Sequence, residues 1–444
     1  MIAFLIRHRI GLILFFVALA VRLAGVTFRG EWRAARDQFP DEMIVQADMV
    51  AHGQGFCSVD DPNHSPSTQF PPGYVVFLAA CMKVAMGLGY AAVPIPAGLY
   101  AGLVLLNGVV SSLVAPLAVA IGRGLGWSGR AAALAGAAVC FCPEAVRATG
   151  MVWDEAFLAT ACAGMVGLLV RLLGLPQLRW WHSVLLGALS GVLALLNPAF
   201  LPATLGAWVV GNFVRDRGPV VRRFGIVAAH GFVLVVLTVA AGLPWHARNW
   251  FLLDPPQRVF VRGGLGKEIW LGVHPLTFVD EGGKSKAMPF GAHWGTDPMV
   301  KDGRALTEQE YFAWSGERAT AWVRENPGEY ASHVLKQVES FWLGIDEALR
   351  WRKPWYKFFV PQGVPALVGL AGLWMARRRM PGAQWWALAA ILALFPVVYY
   401  LTNAAMRYRH PVDVVLYLGV GYAGEQAWRF FSWRNAGRGT GTAV

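Results

Sequence analysis

The stretch Pro71–Tyr90, PPGYVVFLAACMKVAMGLGY, decides how this chain is laid out. It is apolar enough to pass for a membrane span, and it lies among other apolar runs of the roughly 17–25 residues that a helix needs to cross a bilayer. We read spans near residues 10–28, 97–121, 131–148, 153–170, 183–197, 199–213, 225–243, 359–376, 383–401 and 411–428. With the N-terminus in the cytoplasm, Arg123 and Arg130, Arg171 and Arg179, Arg215 to Arg223, Arg377 to Arg379, and Arg429 to Arg438 all fall inside. Every short loop then obeys the positive-inside rule. Counting Pro71–Tyr90 as a span would turn the next three basic loops outward. The stretch is therefore read as a short helix at the outer interface, a place that suits Lys83 and its two prolines. A re-entrant helix would leave the parity unchanged.

Composition agrees with a membrane protein. The chain is 56% hydrophobic and only 15% charged, against about a quarter charged in soluble proteins. Its net charge of +12 is spread over short loops between apolar runs, which reads as topology and not as a nucleic-acid surface. The five cysteines sit mostly in or beside apolar segments and give no disulfide framework; Cys140-x-Cys142 reads as helix filler in preference to a metal site. Ile10–Phe28 follows Arg7, His8 and Arg9 but lacks a cleavage site, so it is expected to remain as the first helix. The expected plan is an N-terminal transmembrane module over 1–243 with an outer loop at 29–96, an outer segment at 244–358, and C-terminal helices with a cytoplasmic tail over 359–444. In ASHVLKQVESFWLG, Val334, Leu335, Val338, Phe341 and Trp342 share a helical face, which predicts an amphipathic helix at the interface.

The charged residues at the ends of these spans are the candidates for chemistry. FPDEMIVQADMVAHGQGF, Phe39–Phe56, places Asp41 and Glu42 at the start of a helix-like run. Acids there also suit a helix N-terminus electrostatically; Asp48, Asp60 and Asp61 read as solvated loop acids. MVWDEAFLA puts Asp154 and Glu155 at the outer end of the fourth span, where charge is costly and is kept for function, pairing or capping. Arg248 in GLPWHARNW, and Arg407 and Arg409 with His410 in TNAAMRYRHPVD, place positive charge outside, against the orientation bias. A lipid phosphate would account for them, since guanidinium binds phosphate oxygens bidentately; ion pairs with the acids, or snorkelling to headgroups, would account for them too. Outer carboxylates opposite outer arginines suit a reaction of a lipid-linked phosphate, with a carboxylate as base on an acceptor hydroxyl and an arginine on the departing phosphate.

Seven short motifs in order then resemble the polyprenyl-phosphate-sugar-dependent glycosyltransferases of the GT-C superfamily, most of all the bacterial family 39 of ArnT- and PMT-like enzymes. They are FPDEMIVQADMVAHGQGF, QFPPGYVVFLA, MVWDEAFLA, ALLNPAFL, PWHARN, GLGKEIWLG and RYRHP, and together they run along nearly the whole chain. The resemblance implies an all-α GT-C-type bundle of about ten to eleven transmembrane helices with extracytoplasmic interfacial helices. It implies Asp41 as catalytic acid with Glu42 beside it, Asp154 and Glu155 as a second acidic motif, and Arg248, Arg407 and Arg409 toward the donor phosphate. The partners implied are a polyprenyl-phosphate-linked sugar donor, an extracytoplasmic acceptor (protein, lipid or polysaccharide) and membrane lipids, at the cytoplasmic membrane and without nucleic acid. No cofactor is fixed by these residues; carboxylates and His residues leave a divalent metal open, though no ligand spacing supports one. The chain departs from the family at Met43, Ile44 and Val45, where an aromatic residue is often found. It departs again at Pro71-Pro72, in place of the aminoarabinose branch's Lys-Pro, and at Val273, where asparagine often follows W-L-G. Two other readings stand beside this one. A flippase for a lipid-linked saccharide would show repeats or charged broken helices near the midplane, and an assembly subunit would leave Asp41 inert.

Overall fold

Apart from one isolated β-bridge between Cys57 and Pro66, every regular element among the described residues is helical. The computed structural model describes residues 2–32, 42–58, 65–89, 97–253, 259, 261–273, 306–345 and 354–438. Among the described residues six helices are long and apolar enough to cross a membrane: Arg9–Arg29, Gly98–Gly124, Glu155–Leu173, Val220–Leu252, Tyr356–Ala376 and Gly382–Leu401. A seventh is Gly129–Cys140 with Pro143–Thr149, a pair bent by 47°. Proline at the start of the second of these helices has no N–H to lose there, so the chain bends without orphaning a donor.

The expected ten to eleven spans are thus too many. Trp180–Leu196 and Phe200–Arg215 are helices of 17 and 16 residues, short of a full crossing. Asp413–Arg438 has 26 residues, but Glu425, Gln426 and Arg429 lower its hydropathy. Pro72–Gly87 is a 16-residue apolar helix. It packs through Tyr74, Val75, Leu78 and Met82 in one apolar cluster with Met43, Ile44 and Ala47 of the Glu42–Ala51 helix.

A larger apolar cluster unites the remaining bundle, from Ala18 in the first span to Tyr422 near the end. Small residues let its backbones meet, as is usual between membrane helices. A β-carbon on Gly372 would strike the backbone of Gly419, and one on Gly369 the backbone of Leu416, so Tyr356–Ala376 and Asp413–Arg438 run in direct backbone contact. Outside the bundle, Glu308–Glu325 opens with a capping box between Thr307 and Glu310. Pro327–Leu343 closes on Gly344 at φ +71°, the left-handed C-cap that glycine adopts without strain. Its buried residues include His333, Gln337 and Ser340, while Leu335 is 70% exposed. The helix therefore turns a stripe of His333, Gln337 and Ser340, closed by the core residue Phe341, to the protein and Leu335 outward.

Candidate active site

At the start of Glu155–Leu173, Asp154 occupies the N-cap position but makes no side-chain capping hydrogen bond. Its carboxyl is left for other partners. Burial, then the neighbouring Glu155, pushes it up to about 8. Glu155 is buried, and its Oε2 has no hydrogen-bond partner among the described residues. Arg407 approaches this pair from the other end of the chain, with Nε 3.8 Å from Glu155 Oε1. Its guanidinium lies 3.9 Å from the Trp153 ring centroid and 5.1 Å from that of Tyr408. Burial works against its charge, but Tyr408, Glu155 and Asp154 outweigh that and hold the guanidinium firmly protonated. Tyr408 stacks on Tyr399 at 4.7 Å, and Tyr399 Oη accepts from Asn197 Nδ2 at 3.0 Å. Arg262, paired with Glu268 at 2.6 Å, also draws the Asp154 carboxyl downward. The result is a carboxyl pair under one arginine, walled by aromatic rings.

The turn that carries Arg407, Met406–Val412, is fixed from beneath. Arg409 is 1% exposed and fully engaged. Its Nε donates to Asp413 Oδ1 at 2.7 Å, Nη1 to the carbonyls of Trp342 and Gln362, and Nη2 to Gln362 Oε1 at 2.6 Å. The polar stripe of Pro327–Leu343 holds the residues just before the turn. His333 Nε2 lies 2.9 Å from the Thr402 carbonyl, Gln337 Oε1 accepts from Ala404 N at 2.7 Å, and Ser340 donates to the Ala404 carbonyl.

Asp41 lies outside the described residues. Glu42 opens its helix, and its Oε2 accepts from Gln69 Nε2 at 2.5 Å. The neighbouring Thr68 donates its N–H to Glu308 Oε1 at 2.8 Å and accepts from Gly263 N at 2.9 Å. This joins the first acidic motif to the segment after Val220–Leu252. Glu308 is fully buried, which raises its pKa. Arg248 binds the same loop: Nη2 donates to the Phe56 carbonyl at 2.6 Å and Nη1 to that of Ser67 at 2.9 Å, over the Trp245 ring at 4.8 Å. Tyr74 and Phe77 pack against Phe157 at 5.5 and 4.7 Å, so both acidic motifs adjoin one apolar cluster.

Of the predicted residues, then, Asp154, Glu155 and Arg407 come together. Glu42 and Arg248 share a second group, and Arg409 sits below the turn. Sequence reasoning passed over Trp153, Arg262, Tyr399 and Tyr408. Asn197 was visible only as an Asn-Pro step, and adjacency to Asp154 and Arg407 was the available signal for Trp153 and Tyr408. Cys142, His410 and Asp413, with ligand atoms within 4.8 Å of one another, are the one group of three metal-ligating side chains among the described residues.

No family model matches the chain, and no curated protein does. Among solved structures it is similar to the oligosaccharyltransferase of Archaeoglobus fulgidus. The complex of that enzyme with Zn and sulfate superposes at TM-score 0.52 and 13% identity, covering 96% of this chain and 50% of that one. The same enzyme, AglB, in complex with an inhibitory peptide and a dolichol-phosphate gives 0.51 and 13%, covering 98% and 52%. This chain thus spans about half the length of the oligosaccharyltransferase and shares its fold over that part. ArnT from Cupriavidus metallidurans superposes at only 0.34, with 18% identity over 92% of this chain and 78% of that one.

Proposed function

We propose that this chain is a glycosyltransferase that moves a sugar from a polyprenyl-phosphate donor to an acceptor hydroxyl, with inversion, at the outer face of the cytoplasmic membrane. The observation that carries the reading is Arg407. Within a fold shared with an enzyme solved in complex with a dolichol-phosphate, this arginine is held over Trp153 beside a carboxyl pair at the end of a span.

In this proposal Arg407 takes the donor phosphate, stabilising the negative charge that appears on it as the glycosidic bond breaks. Glu155 keeps the guanidinium aimed while the donor is absent. Asp154 holds a proton at neutral pH and donates a hydrogen bond to donor or acceptor. Asp41 is the base that removes the proton of the attacking hydroxyl, with Glu42 anchored beside it by Gln69. Arg248 and Arg409, offered by the sequence for the phosphate, take supporting parts, since Arg248 is spent on the carbonyls of Phe56 and Ser67, and Arg409 on Asp413, Gln362 and the Trp342 carbonyl. The sugar is a hexose or a pentose, and the acceptor is a protein, lipid or polysaccharide.

The test is turnover of radiolabelled polyprenyl-phosphate hexoses and pentoses by the purified protein and by Asp41→Asn, with the envelope fraction as acceptor. Transfer by the wild type that is lost in Asp41→Asn, with donor binding retained, supports the assignment. Wild-type turnover in Asp41→Asn removes Asp41 as the base. Donors that bind without reacting favour a flippase.

A further inference from the structure

We propose that Cys142, His410 and Asp413 form a binding site for one divalent transition-metal ion of the zinc class. The Cys142 sulfur, a His410 ring nitrogen and an Asp413 carboxylate oxygen lie within 4.8 Å of one another. The three residues are 2%, 5% and 3% exposed. Among the described residues neither ring nitrogen of His410 has a hydrogen-bond partner within 3.5 Å; the ring faces Asp413 and Cys142 at longer range, with Nδ1 3.9 Å from Asp413 Oδ2. Native interiors rarely leave a buried polar atom so poorly satisfied without a reason. Beside it is a void of about 10 Å³ that Cys142, His410, Asp413 and Arg22 line. Roughly 10–15 Å³ of this kind admits a single water.

Thiolate, imidazole and carboxylate are a ligand set that zinc accepts, with bonds of about 2.0–2.3 Å that set tetrahedral ligands about 3.3–3.8 Å apart. The present spacing is therefore slightly open, and the three ligands close by about 1 Å around the ion. A water in the void fills the fourth position. Arg409 Nε holds Asp413 Oδ1 at 2.7 Å, which leaves Oδ2 for the metal and orients it, as outer partners of metal ligands do. Arg22 also lines the void and opposes a cation by its charge. Its guanidinium is engaged by Ser111 Oγ and by the carbonyls of Ala18 and Ser111.

The site has a structural consequence. Cys142 stands at the 47° bend between Gly129–Cys140 and Pro143–Thr149, while His410 belongs to the turn that carries Arg407. The ion bolts the bend to that turn without touching substrate. Cys140 has no part in it, since its thiol donates to the carbonyls of Leu14 and Gly136.

The test is metal analysis of the full chain in detergent, tag removed, after loading with Zn²⁺ and washing, together with the absorption spectrum after loading with Co²⁺. The expected results are about one zinc per chain, thiolate-to-cobalt charge transfer, and loss of about tenfold or more of the retained zinc in Cys142→Ser and His410→Gln. Cys140→Ser should retain the metal. Retention of the metal by Cys142→Ser overturns the proposal, as does a wild type with no retained zinc. If the variants fail to fold, the wild-type cobalt spectrum decides, because absence of the thiolate band overturns the proposal by itself.

Discussion

Replacing Arg407 with glutamine separates its two tasks, pairing with Glu155 and receiving phosphate. At 3.8 Å, with side chains only 15% and 7% exposed, Coulomb's law at an effective dielectric constant of about 20 gives about 4 kcal/mol for the pair. That agrees with the 3–5 kcal/mol that breaking a buried pair costs. Arg407→Gln should therefore destabilise the protein by about 3–4 kcal/mol, read by denaturant titration in detergent. The double variant Arg407→Gln/Glu155→Gln removes the stranded carboxylate and should recover most of this. The stacking on Trp153, worth about 0.5–2 kcal/mol, should stay lost. Donor binding should follow a different rule. One charge-assisted hydrogen bond to phosphate is worth about 1.5–3 kcal/mol, so both variants should bind a polyprenyl-phosphate sugar roughly 10- to 150-fold more weakly. A double variant that binds donor as tightly as the wild type would refute Arg407 as the phosphate ligand. A double variant no more stable than the single one would refute the pairing.

Three further outcomes follow from the geometry. Asp154 is raised from 3.8 to about 8, so the folded state binds its proton more tightly than the unfolded chain. Its contribution to stability is full below pH 4 and is lost as pH rises through 8; Asp154→Asn should therefore gain stability relative to wild type across that window, and a flat difference in melting temperature would count against the raised value. Arg248→Met should free the loop that bonds Ser67 N to the Phe56 carbonyl at 2.9 Å, seen as faster hydrogen exchange at the Ser67 amide, with unchanged exchange arguing against the anchoring. Gly372→Val would push a side chain into the backbone of Gly419 and should abolish monodisperse protein in size-exclusion chromatography, whereas Gly98→Ala, which meets nothing within 4 Å, should not.

What was legible in the sequence follows from how local each signal is. Long apolar runs announced five of the six spans to within three residues, because twenty apolar residues in a row leave a helix few other places to be, while Val220–Leu252 outran its expected 225–243 by five residues at one end and nine at the other. Hydropathy alone could not weigh the short pair around Asn197, nor the polar face of Glu425, Gln426 and Arg429, and there the span count ran too high. The acidic pair at Asp154-Glu155 and the cations at Arg407 and Arg409 were visible as charge in costly places. Which arginine faces the acids was not, because Arg407 and Arg409 are two residues apart and the turn between them sends one toward Glu155 and the other beneath, to Asp413 and Gln362. Tyr399 and Arg262 reach the site only through tertiary contacts, and nothing in their own neighbourhoods marks them. The amphipathic pattern of Pro327–Leu343 was real, but which side meets the protein depended on the carbonyls of Thr402 and Ala404.

The helices Trp180–Leu196 and Phe200–Arg215, of 17 and 16 residues, reach only about 26 and 24 Å at 1.5 Å per residue. The hydrocarbon layer of a bilayer is about 30 Å thick. An undeformed bilayer therefore reaches past the open ends of this pair, and matching its thickness to them costs a fraction of a kcal/mol for each ångström. The Asn197-Pro198 step that joins the pair adjoins Tyr399, so the pair lies beside the candidate site without crossing a full-thickness bilayer. Acyl-chain length is then a control on this protein. Reconstituted in lipids of graded thickness, it should work best in the thinner ones, where less of the bilayer has to be deformed to bring a lipid headgroup level with Arg407.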